Sequence, residues 1–260
     1  MSIARFHAVT VLVAVAAASA LAQKAAPARQ PGYLPADAIP DMIRVLPTAP
    51  ATGTPRDTAD RGIFLATRAL QDSPRWKLAQ SDNDMSIPGM LAAFRCALGV
   101  TLTARNAPRT TALLERAATD ANTLTGPSKD HFHRKRPFLV DDGPVCVARP
   151  DTWDFPSGHS TLGWATGLIL TEIVPDRATE LMTRGRSFGE SRVVCGMHNA
   201  SAVEAGRVVG AALVAALDSS GEFRSDLAAA RNEIAALRRN PPAVSSSCTA
   251  EAALIATTPY

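Results

Sequence analysis

The sequence predicts an all-α fold in a single domain, and three observations carry the prediction. Apolar residues recur at helical spacing in segment after segment, no stretch keeps the period-two alternation of a half-buried strand, and no Asn-Gly or Asp-Gly turn sits between alternating apolar runs. A chain of 260 residues can build one sizeable core but hardly two, and no internal repeat divides it.

The chain opens with Arg5 ahead of an apolar run from Val9 to Ala18, then small residues at Ala20 and Ala22. That pattern predicts a signal peptide over residues 1–22 and an exported protein; the run is too short for a membrane span. Residues 23–56 are rich in proline and small side chains and read as an extended arm. The helical domain is expected over 57–240. Asp57 caps "TADRGIFLATRAL", and Asn106 with an early proline opens "NAPRTTALLERAATDANTL".

Helical spacing continues in "STLGWATGLILTEIV", which Pro175 stops, and in "RATELMTRGRSFGESRVV", "ASAVEAGRVVGAALVAAL" and "SDLAAARNEIAALRR". The run from Val208 is bounded by Arg207 and Asp218, which predicts a central buried helix rather than a membrane span. After Pro241 and Pro242 the tail, 241–260, reads as flexible unless Cys248 tethers it. Four cysteines in an exported chain allow two disulfides in any of three pairings, with buried free thiols as the alternative, above all at Cys96. With 27 basic and 24 acidic residues the chain is only mildly basic, so charge alone does not call for nucleic acid.

Three clusters ask for an anion. "KDHFHRKRP" concentrates Lys129, Arg134, Lys135 and Arg136 with His131 and His133. Alone it reads as a solvated basic face, and its histidines lack a third metal ligand. "FPSGHS" makes a turn at Ser157 and Gly158 leading into a helix at His159, where amides and the helix dipole favour negative charge. "SRVVCGMH" offers Arg192, a helix break at Gly196, and His198. Together, Lys129, Arg136 and Arg192 suit three phosphoryl oxygens, and His159 and His198 are left to act on opposite sides of the phosphorus.

Lys129 to Arg136-Pro137, then Pro156-Ser157-Gly158-His159, then Ser191-Arg192 with His198, resembles the signature of the type-2 phosphatidic acid phosphatase superfamily. Within it the motifs look most like the class A bacterial non-specific acid phosphatases. The resemblance implies an all-α helical bundle of the kind shared with vanadium haloperoxidases, and a periplasmic, homo-oligomeric enzyme. It implies a metal-independent phosphatase acting on a broad range of small phosphomonoesters, with no nucleic-acid or membrane partner. It makes Lys129, Arg136, Ser157, Gly158 and Arg192 the phosphate-binding set, His159 the general acid and His198 the nucleophile that becomes phosphohistidine. No metal or other cofactor is implied, although phosphate or vanadate suits the site. Two histidines with pKa values near 6.5, one neutral and one charged, would work best at mildly acidic pH.

The chain departs from the family at one position. Four residues beyond the nucleophile the family carries an aspartate that orients the imidazole, and this chain has Ala202. Candidate replacements are the Ser201 hydroxyl, a backbone carbonyl, Glu204, and the more distant Glu190, Asp141 and Asp142, with a non-carboxylate partner favoured. Other readings are a weakened relative that binds phosphate or vanadate without turnover, a vanadium-dependent haloperoxidase, and a basic module that binds nucleic acid or anionic lipid.

Overall fold

A computed structural model describes residues 30–240 and 245–260, so the segment predicted as a signal peptide lies outside the described residues. The described residues form helices joined by loops and short 3-10 turns, with no strand among them. The helices are α1 (Met42–Val45), α2 (Pro55–Thr67), α3 (Pro74–Ser81), α4 (Ile87–Leu98), α5 (Pro108–Phe132), α6 (Gly158–Ile173), α7 (Ala178–Val194), α8 (Ala200–Leu217), α9 (Gly221–Leu237) and α10 (Ser246–Ile255).

Helix α6 lies at the centre, with α7 and α8 packed along it and α5 and α9 completing the bundle. The α6–α7 crossing is close because glycines meet there: a Cβ on Gly185 would stand 3.0 Å from the Gly163 carbonyl oxygen. Helix α8 is long and apolar enough to cross a membrane, yet Val209, Leu213 and Leu217 are buried in the shared core, as the bounded run predicts.

Two predicted caps are replaced. Thr54, not Asp57, caps α2; Pro55 takes the first helical position, and the Asp57 carboxylate accepts from the Gly53 amide at 3.0 Å. At α5, Asn106 closes its own turn by accepting from Thr103, and Glu233 of α9 instead accepts from the Arg109 and Thr110 amides at 3.0 and 2.9 Å. A carboxylate from across the bundle satisfies orphan amides as well as a local side chain does.

The arm straps the bundle: the Tyr33 amide donates to Asp120 at 2.7 Å, and the Tyr33 ring lies under the Arg116 guanidinium at 3.7 Å. The tail, expected to be flexible unless Cys248 tethers it, is tethered and carries α10. Cys248 pairs with Cys96 of α4, and Glu251 reaches Arg184 at 3.3 Å. The second disulfide joins Cys146 to Cys195, so Cys96 is not a free thiol.

Candidate active site

The three basic clusters converge at one end of the central helices. Helix α5 runs on past Pro127, which puts Lys129 on its last turn. Ser157 caps α6, accepting from the Ser160 amide at 3.3 Å, so Gly158 and His159 begin that helix. Arg192 stands on the last turn of α7. His198 follows a turn at Gly196, whose φ of +71° lies in the left-handed region that glycine tolerates; a Cβ there would also strike the Arg68 guanidinium.

The long connection from α5 to α6 supplies Arg136 and Asp154. Two devices hold it against the end of α7. One is the Cys146–Cys195 bridge. The other is Arg68, which donates to the Pro144 carbonyl and to the last α7 carbonyls, Val193 at 2.9 Å and Val194 at 2.7 Å. A cation at the negative end of a helix is favourable there.

His198 is buried, and its hydrogen bonds define its proton. Nδ1 lies 2.7 Å from the Asp154 carbonyl oxygen and 3.0 Å from Asp154 Oδ1; both accept, so Nδ1 carries the hydrogen. Nε2 lies 3.0 Å from Arg136 Nη1, a donor, so Nε2 presents its lone pair. That is the tautomer a nucleophilic imidazole needs. Arg136 is itself oriented by the Thr152 carbonyl and hydroxyl, both at 2.7 Å, and by the Met197 carbonyl at 2.7 Å.

His159 Nε2 donates to the Asn83 carbonyl at 3.1 Å, and Arg192 Nη1 donates to the Asn83 side-chain oxygen at 3.0 Å. One residue thus positions an imidazole and a guanidinium together. Arg192 is buried with its Nε unpartnered, an arrangement that favours an anionic acceptor. Lys129 Nζ donates to the Trp153 carbonyl at 2.6 Å. The Ser157 amide is taken by the Ala202 carbonyl at 2.9 Å, which leaves its hydroxyl and the first α6 amides as donors. A Cβ on Gly158 would meet open space, so its backbone is accessible from outside the protein core.

Burial and crowded positive charge shape the titration. His198 and His159 are both held well below the ordinary histidine range, first by burial and then by Arg136, Arg192 and Lys129. Burial, with Arg136 adding to it, lowers Lys129 to about 7 and Arg192 to about 9. The expectation of one charged histidine near pH 6.5 is therefore corrected: without an anion both rings are neutral there, because protonation would add charge to a buried cationic cage. A bound dianion reverses the sign. Sulfate, which does not titrate near neutrality, should bind at pH 7 with net proton uptake as Lys129 and His159 rise. Calorimetry in buffers of different ionisation enthalpy reads this directly, and net release would contradict the assigned cage.

Several residues singled out from sequence stand elsewhere. The Ser201 hydroxyl donates to Asp60 and accepts from Arg134 Nη1 at 2.6 Å, so Ser201 does not orient His198. Glu204 pairs with Arg56, Glu190 with Arg186, and Asp141 with Arg61. The expectation of a non-carboxylate partner is half met: a carbonyl does accept from His198, but the carboxylate of the same residue, Asp154, accepts beside it. His133 packs at a tilt against Trp153, with ring centroids 4.7 Å apart.

Sequence reasoning missed Asp154 and Asn83. An acid two positions before Pro156 was the available signal for Asp154; nothing local marks Asn83. Ala202 is fully buried in the apolar core, and the donors around Asp154 are already engaged. Ala202→Asp should therefore cost about 3 kcal/mol by burying an unpaired carboxylate, a fall of roughly 6–12 °C in Tm. Unchanged melting together with raised kcat would refute this.

The PAP2 superfamily model matches residues 110–222. An acid phosphatase of Zymomonas mobilis is 37% identical over 199 residues, covering 75% of each chain. A non-specific acid phosphatase of Providencia stuartii is 34% identical over 205 residues, covering 76% of this chain and 83% of that one. One from Salmonella typhimurium is 33% identical over 213 residues, covering 79% and 84%. Among solved structures, a bacterial vanadium-dependent iodoperoxidase aligns with a TM-score of 0.50 at 17% identity, over 65% of this chain and 51% of that one. This chain spans about half that peroxidase, and the likeness is one of fold. With its bundle, its convergent cationic motifs and these relatives, the chain belongs to the PAP2 superfamily and, within it, to the non-specific acid phosphatases.

Proposed function

We propose that the protein is a periplasmic acid phosphatase that hydrolyses small phosphomonoesters through a phosphohistidine on His198, without a metal. The observation that carries this reading is the His198 ring, protonated at Nδ1 with its Nε2 lone pair turned to the Arg136 guanidinium. The relatives' names support the reaction class, and the signal-like N-terminus supports export.

In the first step His198 Nε2 attacks phosphorus in line. The P–N bond forms as the ester P–O bond breaks, and the leaving oxygen takes a proton from His159. Because His159 Nε2–H is committed to Asn83, the ring gains that proton at Nδ1. Lys129, Arg136, Arg192 and the first α6 amides hold the non-bridging oxygens and stabilise their charge. In the second step water attacks phosphorus, His159 accepts its proton, and the P–N bond breaks to release phosphate.

The silent anion-binder reading rests on Ala202, and a carboxylate beside His198 removes its main support. The test is hydrolysis of p-nitrophenyl phosphate across pH 4–8 with acid- and base-quenched trapping of labelled phosphate. Label that is acid-labile, base-stable and mapped to His198 supports the reading. Turnover that requires added divalent metal, or label on another residue, overturns it.

A further inference from the structure

We infer that Asp154 is the positioning residue for His198, replacing from the loop before α6 the carboxylate that the family supplies from the helix after the histidine; this rests on the phosphohistidine reading above. Asp154 is wholly buried and belongs to none of the three cationic motifs. Its main chain and side chain are both committed. The Asp154 amide donates to the Arg134 carbonyl at 2.9 Å, and its carbonyl accepts from His198 Nδ1 at 2.7 Å.

Four donors surround the carboxylate. Oδ1 faces His198 Nδ1 at 3.0 Å and the Asn199 amide at 3.1 Å; Oδ2 faces the Asn199 side-chain amide at 2.9 Å and Arg134 Nη1 at 3.5 Å. Arg134 is in turn fixed by Asp60 at 2.8 Å and by Ser201. The basic run is thus not merely a solvated face: Arg134 braces the carboxylate, while Lys129 and Arg136 face the anion.

The two acceptors on Asp154 have separable roles. The carbonyl alone can hold the Nδ1–H tautomer. The carboxylate adds a fixed negative charge next to the ring, and it becomes important only when Nε2 bonds to phosphorus and the imidazole turns cationic. Electrostatic support of that kind is realised in the transition state rather than in substrate binding. Burial raises Asp154 to about 6, against which its donors favour the ionised form.

Asp154→Asn preserves shape and the carbonyl while removing the charge. Because the tautomer survives, the loss should fall short of the roughly 10⁴-fold drop that follows when the orienting aspartate of a serine protease becomes asparagine, and lie closer to the roughly 10–100-fold cost of losing a carboxylate that orients a metal-bound histidine. In single-turnover and steady-state assays, kcat and the rate of phosphoenzyme formation should fall about 10–100-fold, while KM and the inhibition constant for inorganic phosphate rise by less than about threefold. A kcat within about twofold of the parent overturns the proposal. So does a loss dominated by KM, with weaker phosphate inhibition and a lower Tm, which would mark Asp154 as scaffold only.

Should the variant not fold, the histidine ¹⁵N spectrum of the parent, assigned with His198→Gln, decides the arrangement. Nδ1 protonated and Nε2 bare is the expected state for a ring held on Asp154 by carbonyl and carboxylate together, and the opposite tautomer, which neither acceptor permits, overturns the inference. This spectrum needs no turnover, so a parent without phosphatase activity would sink the proposed function while the assignment of Asp154 is still read independently.

Discussion

His198→Ala should lower kcat for p-nitrophenyl phosphate by at least about 10⁴-fold and abolish trapped phosphoenzyme, because it removes the nitrogen proposed to attack. The proposed anion cage is built by other residues: Lys129 on α5, Arg136 on the connection before α6, and Arg192 on α7. Phosphate should therefore still bind and inhibit competitively. Arg136 retains its bonds to Thr152 and Met197 when the imidazole is gone. Added imidazole gives a further readout, since a small nucleophile entering the space left by the ring should restore part of the turnover and form phosphoimidazole. A variant that hydrolyses substrate as fast as the parent would remove His198 from the mechanism.

The largest stability loss is expected at Asp82, which is nowhere in the catalytic motifs. Asp82 and Arg184 are both about 1% exposed and pair through both carboxylate oxygens, Oδ2 at 3.1 Å. Ser191 donates to the same Oδ2 at 2.6 Å, and Arg75 donates to Ser191 at 2.9 Å. Asp82→Ala leaves the buried Nη groups of Arg184 without their carboxylate, only Nε keeping Glu251 and the Ala93 carbonyl, at a cost of about 3–5 kcal/mol, a fall of roughly 6–20 °C in Tm for a domain of this size. The effect should reach the site, because the next residue, Asn83, holds both His159 and Arg192. KM should rise along with the stability loss, and a melting point within about 3 °C of the parent would reject the account.

Much of the bundle was legible because helical periodicity is local. The segments of α6, α7, α8 and α9 are visible from apolar spacing, Pro175 and Gly196, and the run from Val208 reads correctly as a buried helix. Helix α3 escaped notice because its eight residues mix Arg75, Trp76 and Lys77 without a clear apolar stripe. The caps of α2 and α5 were misassigned for a different reason. Asn106 is a good cap by type, but Glu233 arrives from α9 with two oxygens for two amides. Composition leaves the order of the tail conditional on Cys248, and the bridge that meets the condition depends on a partner 152 residues away.

By itself the sequence determined the helical class, and it singled out Lys129, Arg136, Arg192 and the two histidines as a candidate anion site, because spacing and residue type are local signals. It also showed that the usual acid is missing at Ala202. Only the tertiary structure decided what stands in its place, because a hydrogen bond across 44 residues depends on where two loops meet and not on helical register. The same holds for the histidine charges: unperturbed values suggest one charged ring, and only burial beside three cations makes both neutral.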